Sequence, residues 1–303
     1  MTQRLLLVDS ASQYYRAFYG VPDSMRDSSG RPVNAVRGFF TSLTRAVEQF
    51  QATRLVLCWD EDWRPAFRTT LIPAYKAHRL ASDGTEAIPD DLAPQVDTII
   101  DIAAGLGLTR IGVAGFEADD VIATIAKKEA GPVAVLTGDR DLFQVIDDRR
   151  NISVWYTGKG PVQVFSDLTV RDRYGVSALQ YADFATLRGD PSDGLSGVRG
   201  IGGKGAAALL SEHESLERVL AAANATDSNL RPRLRDSLRD ALEYLTAAQV
   251  VVRVRTDVPL PDYDDRLRTP PTGTPAIADL IARTGMTGTV ERWAKTVAQV
   301  SAA

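Results

Sequence analysis

Three apolar runs in this chain close on an aspartate: "RLLLVD" at Asp9, "RLVLCWD" at Asp60 and "PVAVLTGD" at Asp139. Runs apolar on both faces suit strands covered on both sides, as in a parallel sheet. "LTRIGV" near 108–113 and "NISVWY" near 151–156 read the same way, and helical patterns near 34–50, 89–106 and 117–130 lie between the first four strands. The alternation predicts an α/β, doubly wound, mostly parallel sheet. From about 167 the chain reads as helical, with a long helix near 235–254, a proline-rich linker "DVPLPDYDDRLRTPPTGTP" and a last helix near 288–301. The expected division is 1–166 and 167–303.

Ligands of open parallel sheets gather outside the carboxyl ends of the strands. That edge would collect Asp9, Asp60 and Asp139, with Asp141 two residues further on. "GFEADDVIATIAKK" follows the third strand and adds Glu117, Asp119 and Asp120; "LRGDPSDGLSG" adds Asp190 and Asp193 from a loop between helices. Acids at a helix start complement its dipole by about 0.3–1 kcal/mol each. Two carboxylates about 4 Å apart repel by roughly 4 kcal/mol at an effective dielectric near 20. A cluster of this size must protonate in part, stay wet or hold cations. All-oxygen ligands suit Mg²⁺ or Mn²⁺. Two such ions about 4 Å apart would clamp a phosphate diester, one orienting and deprotonating water and the other stabilising the leaving oxygen.

Composition narrows the alternatives. The single cysteine, Cys58, excludes an internal disulfide and fits a reducing cytoplasm, and with only His78 and His213 a zinc site or a Cys–His nucleophile is disfavoured. No apolar run is long enough for a membrane span, and no signal peptide is legible. The net charge of −4 argues against a protein that coats DNA, so local charge distribution matters more than the sum.

Between Arg64 and Ser82, "RPAFRTTLIPAYKAHRLAS" carries Arg64, Arg68, Lys76 and Arg79 and no acid, with Tyr75 among them. Alone, such a run is a solvated face. Directly after Asp60 it suits an anionic polymer, with Tyr75 available to stack on a splayed base. "GVRGIGGKGAAALL" (197–210) spaces Gly200, Gly202 and Gly205 as GxGxxG, but no strand precedes it, and Lys204 is followed by Gly205 instead of Ser or Thr. A tight hairpin between helices fits better, its backbone N–H groups free to hold a phosphate without reading a base.

Together "LVDS…YYRAF", "PAFR…AYKAHR", "GFEADDVIATIA", "LTGDRDLFQV" and "LRGDPSDGLSGVRGIGGKGAAALL" resemble the bacterial 5′-3′ exonuclease/flap endonuclease family, which includes the nuclease domain of DNA polymerase I, over roughly residues 4–260. The resemblance implies a PIN-like fold, a helical arch at about 64–92 and a helix-three-turn-helix module at about 184–212. It implies a first metal on Asp9, Asp60, Glu117 and Asp119, and a second surrounded by Asp120, Asp139, Asp141, Asp190 and Asp193. Arg68, Lys76 and Arg79 would steer phosphates, Lys76 touching the scissile one, with Arg16, Tyr75, Gly200, Gly202 and Lys204 as further DNA contacts. A K⁺ site would use carbonyls of Leu187, Arg188, Ser196, Val198 and Ile201.

The implied activity is divalent-metal-dependent cleavage of DNA at 5′ flaps, nicks, gaps and free 5′ ends during replication and repair, by a cytoplasmic monomer. The chain departs from the family at Ser10, where glycine is frequent, at "SDGLSG", and at Gly205, where threonine is common. With no polymerase region after the motifs, a stand-alone enzyme is expected. Competing readings are a PIN-like RNase, a non-catalytic binder of branched DNA, and a two-metal phosphatase, which would leave the cations and the hairpin without a role.

Overall fold

The computed structural model describes residues 3–269 and 275–302; positions 270–274 of the expected linker lie outside the described residues. The first part runs β1 (Leu5–Asp9), α1 (Ser10–Gly20), α2 (Asn34–Phe50), β2 (Arg54–Cys58), α3 (Ala66–Thr69), α4 (Ala93–Gly105), β3 (Thr109–Ile111), α5 (Ala118–Lys128), β4 (Val133–Thr137), β5 (Ile152–Tyr156) and β6 (Gln163–Phe165). These strands form one sheet in the order β3-β2-β1-β4-β5-β6, all parallel except β6 against β5. The order reverses at β1, which pairs with both β2 and β4. Such a switch point opens a crevice at the carboxyl ends of its strands.

The side-chain period of two divides β1 between two cores. Leu5 and Leu7 join Val56, Val121, Ile122, Ile125, Val133 and Val135 under α5. Leu6 and Val8 join Phe39, Phe40, Leu43, Leu55, Leu57 and Leu136 under α2. Double-sided burial is why these strands read as unbroken apolar runs.

The helical part comprises α6 (Asp167–Tyr174), α7 (Tyr181–Arg188), α8 (Gly203–His213), α9 (Leu216–Asn224), α10 (Pro232–Asp240) and α11 (Leu242–Val252). Its core residues Val170, Tyr181, Phe184, Leu210, Leu216 and Leu245 continue the layer beneath α5. The last two helices, α12 (Pro275–Arg283) and α13 (Thr287–Ala302), return to the sheet's other face, where Met286, Trp293 and Val297 pack in the α2 core.

Several expected elements change. The long helix at 235–254 is two, broken at Ala241 (φ −91°, ψ 6°) between the charged α10 and the mostly apolar α11. α1, α12 and the edge strand β6 are additional to the expected elements; two of three β6 side chains are exposed. The segment expected as a helical arch holds only α3 and a 3₁₀ turn at Ala77–Arg79. It is folded onto the body, Lys76 N–H donating to Asp193 O (2.9 Å) and Arg79 Nη2 to Ser192 O (3.1 Å). It is tied to itself by Arg64, which donates to the carbonyls of Tyr75 (2.6 Å) and Pro73 (2.5 Å).

Candidate active site

Outside the switch point lies a cavity of about 1470 Å³, lined by Asp9, Asp60, Glu117, Asp119, Asp139 and Asp190 among others. Topology gathers these acids from the ends of β1, β2, β3 and β4 and from the loop after α7. Four of these carboxylates are fixed by hydrogen bonds close by. Asp9 caps α1 by accepting from Ser12 N–H (3.2 Å), and its other oxygen accepts from Thr137 Oγ1 (2.6 Å). Asp60 Oδ1 accepts from Ala118 N–H at the start of α5 (2.8 Å). Asp139 accepts from Asp141 N–H (2.8 Å), and Asp190 from Ser192 N–H (2.9 Å) and Arg188 Nη2 (3.3 Å).

The acids disfavour one another's charge. Burial, Asp139 and Asp9 push Asp119 well above the usual carboxylate range, and burial, Asp139, Asp193 and Asp190 do the same to Asp141. Asp9, Asp139 and Asp193 are raised chiefly by burial. Burial lifts Asp60 to about 7, with Lys76 opposing and Glu117 and Asp9 assisting. Among the described residues, no three acidic, histidine or cysteine side chains form a ready-made cage for one ion. The donor set nonetheless fits hard cations: oxygen only, mutually repelling and ringing an open cavity. Mg²⁺ characteristically keeps several waters in such a place and takes few protein ligands.

The cations sort differently from expectation. Lys76, in the cavity wall, pairs with Glu117 Oε2 and adopts a left-handed backbone (φ 49°), a strained conformation for a lysine. Burial opposes its charge, yet Glu117, Tyr75, Asp193 and Asp60 hold its pKa well above normal. Arg79 also lines the cavity and pairs with Asp193 (2.9 Å).

Arg68 cannot meet a phosphate as expected: it is 2% exposed and clamped on Asp120 at 2.7 and 2.8 Å. Asp120 is fully buried with both carboxylate oxygens taken by that arginine, so its expected place at the second metal is corrected. Asp141 and Asp193 also lie outside the cavity lining, but next to Asp139 and Asp190, whose charges raise the pKa of Asp141. Tyr75 is also buried, its hydroxyl on Glu117 (3.0 Å), so no base can stack on it here. Arg16 lines the cavity, but its guanidinium binds the carbonyls of Thr157, Gly158 and Gly160, tying down the β5–β6 connection.

Residues 4–175 match the 5′-3′ exonuclease N-terminal resolvase-like domain, and residues 176–273 the 5′-3′ exonuclease C-terminal SAM fold. A Streptomyces coelicolor 5′-3′ exonuclease is 47% identical over 294 residues, covering 95% of this chain and 98% of its own. The chain belongs to the 5′-3′ exonuclease family. A Mycobacterium tuberculosis 5′-3′ exonuclease is 44% identical over 311 residues, 97% of this chain and 98% of that one. The bacteriophage T5 flap endonuclease, solved as a pseudo-enzyme–product complex with DNA and metal ions, shares the fold (TM-score 0.67, 15% identity, 99% of this chain and 100% of that one). The expected nuclease fold with a helical second part is thus borne out.

In this 5′-3′ exonuclease family member the glycine stretch forms the turn into α8. Gly202 is the N-cap, Gly200 is left-handed (φ 82°), and a side chain at either would meet nothing within 4 Å. Lys204 is exposed in the first turn. Behind it Leu187 O accepts from Val198 N–H (2.9 Å) and Val198 O from Ile201 N–H (3.0 Å). Arg188 at the end of α7 backs onto Gly197, where a Cβ would lie 2.4 Å from the Arg188 carbonyl oxygen. Ser196, the last expected K⁺ contact, is exposed beside them.

Sequence reasoning missed Thr137 and Ser12, which organise Asp9 and Gly138, and the cavity-lining cations Arg37, Arg45, Arg140 and Lys159. Ser12, three residues after the capping Asp9, is readable as the N3 residue whose N–H an N-cap aspartate accepts. Nothing local marks the rest.

Proposed function

We propose that this family member is a structure-selective 5′-3′ exonuclease and flap endonuclease. It hydrolyses DNA phosphodiester bonds near free 5′ ends at flaps, nicks and gaps, and needs Mg²⁺ or Mn²⁺. The observation that carries the reading is the shared cavity: Asp9, Asp60, Glu117, Asp119, Asp139 and Asp190 line one wall system together with Lys76 and Arg79. Relatives named 5′-3′ exonuclease and a T5 neighbour solved with DNA and metal ions support it.

In this reading Asp9, Asp60, Glu117 and Asp119 hold one ion, while Asp139, Asp141, Asp190 and Asp193 surround another. When bound, the ions supply charge neutralisation for the diester and for the leaving oxygen. Lys76 and Arg79 orient the scissile phosphate. The open turn before α8, with Lys204, grips duplex backbone without reading sequence, and the carbonyls at Leu187, Arg188, Ser196, Val198 and Ile201 hold K⁺. The protein works as a monomer.

Product mapping on a labelled 5′-flap duplex, a nicked duplex and a bare single strand, with and without divalent ion, tests this. Asp139→Asn should abolish cleavage while DNA binding persists. Intact cleavage by that variant at saturating Mg²⁺ removes the two-metal account.

A further inference from the structure

Arg68 lies on α3 and Asp120 in the first turn of α5, yet they form the most enclosed ion pair near the cavity, with side-chain exposures of 3% and 0%. Every guanidinium nitrogen is engaged. Nη1 reaches Asp120 Oδ2 (2.8 Å) and Glu117 Oε1 (3.1 Å), Nη2 reaches Asp120 Oδ1 (2.7 Å), and Nε donates to Val251 O (2.9 Å) near the end of α11. Asp120 also accepts from Arg255 N–H (2.7 Å) and Glu117 N–H (3.3 Å). Three segments remote in sequence, at 66–69, 117–120 and 251–255, thus close on one bidentate contact.

We propose that Arg68 and Asp120 are a positioning pair for the acidic wall, setting Glu117 and Asp119 for the reaction without touching substrate. Glu117 shows how. Its Oε1 is shared by Arg68 and the Tyr75 hydroxyl, while Lys76 holds Oε2. When Lys76 turns to a phosphate, Arg68 and Tyr75 keep the carboxylate in register. Asp119 follows Glu117 on the same turn, and the bond from Glu117 N–H to Asp120 fixes that turn. A buried ion pair adds little net stability over apolar residues of similar size; what it supplies is geometry. The inference rests on the nuclease reading above.

The test uses the full chain with Arg68→Lys, Asp120→Asn and the double variant Arg68→Met/Asp120→Leu. Four quantities are read: Tm, affinity for a fluorescein-labelled 5′-flap DNA in Ca²⁺, single-turnover cleavage at saturating DNA in Mg²⁺, and Mn²⁺ binding by the free-ion EPR signal. Cleavage should fall about 10–100-fold and Mn²⁺ affinity weaken by a comparable factor, as for loss of groups that orient metal ligands, with DNA affinity within about threefold of wild type. The double variant should regain the Tm lost by the single ones and remain slow.

DNA affinity that collapses while the rate at saturation holds would make Arg68 a phosphate contact. A double variant cleaving like wild type would make the pair merely structural. Either result overturns the proposal, as does unchanged Mn²⁺ binding. A wild-type chain that fails to cleave refutes the nuclease reading, and the Mn²⁺ titration still decides the pair. If Arg68→Lys fails to fold, Asp120→Asn and the double variant carry the comparison.

Discussion

Thr137 Oγ1 donates to Asp9 Oδ2 at 2.6 Å across the boundary where the strand order reverses, and the same oxygen accepts from Asp139 N–H at 2.8 Å. One buried hydroxyl thereby couples the aspartates at the ends of two neighbouring parallel strands. Its position on β4 is a consequence of register: Leu136 pairs with Val8, which brings Thr137 beside Asp9.

Thr137→Val keeps the shape and removes both bonds. A buried polar group that loses its partner costs about 1–3 kcal/mol, so Tm should drop by several degrees. Asp9 also loses a donor that favours its charged form, so the Mg²⁺ concentration giving half-maximal cleavage should rise. Differential scanning calorimetry and a Mg²⁺ titration check the two effects; a variant matching wild type in both denies Thr137 any role in the site.

The sign of the pH effect follows from Asp60. Its pKa in the fold is about 7, against about 3.9 for a free aspartate, so the native state holds a proton that the unfolded chain releases. Between these values the native state binds more protons, and stability must fall as pH rises. Asp119 and Asp141 are displaced in the same direction. With EDTA present, Tm should decline from pH 5 to pH 7.5. Mg²⁺ should raise Tm more at pH 7.5 than at pH 5, because ions compete with those protons. Thermal scans at both pH values decide it, and a Tm that climbs steadily with pH in EDTA would contradict the assignment.

Much of this site was legible because strand-end aspartates obey topology: once Asp9, Asp60 and Asp139 end parallel strands, one edge must receive them. Their neighbours were not. Asp119 and Asp120 are adjacent in sequence, but a helix turns about 100° per residue, so one faces the cavity while the other is buried on Arg68. Charge in a sequence does not name its partner either. Arg16, Arg68 and Tyr75 read as DNA contacts because nothing local reveals the carbonyls and carboxylates that occupy them. The folded-down segment at 64–79 depends on contacts with residues beyond 190, which no local pattern encodes.

Lys204 is exposed at the start of α8, beside N–H groups that a phosphate can approach. Lys204→Ala should weaken binding of flap duplexes of different sequence about equally, and the slope of log affinity against log salt should shrink by about one. Anisotropy titrations across a salt series measure both. Loss confined to one sequence would mean that the turn reads bases.

Gly194 ties the helical part to the segment that carries Lys76. Its φ of 74° lies in the left-handed region, and a Cβ there would sit 2.4 Å from the Ala74 carbonyl oxygen. The neighbouring Lys76 N–H bond to Asp193 O and the Arg79–Asp193 pair depend on that close approach. Gly194→Ala imposes backbone strain of about 1–3 kcal/mol and pushes the 73–79 segment off the loop. The segment should then exchange amide hydrogens faster and be cut sooner by trypsin at Lys76 or Arg79. Because Lys76 would lose its fixed place beside Glu117, cleavage should slow more than DNA binding weakens. Limited proteolysis beside single-turnover kinetics checks this, and a Gly194→Ala protein as resistant and as fast as wild type would show that the loop does not hold the segment down.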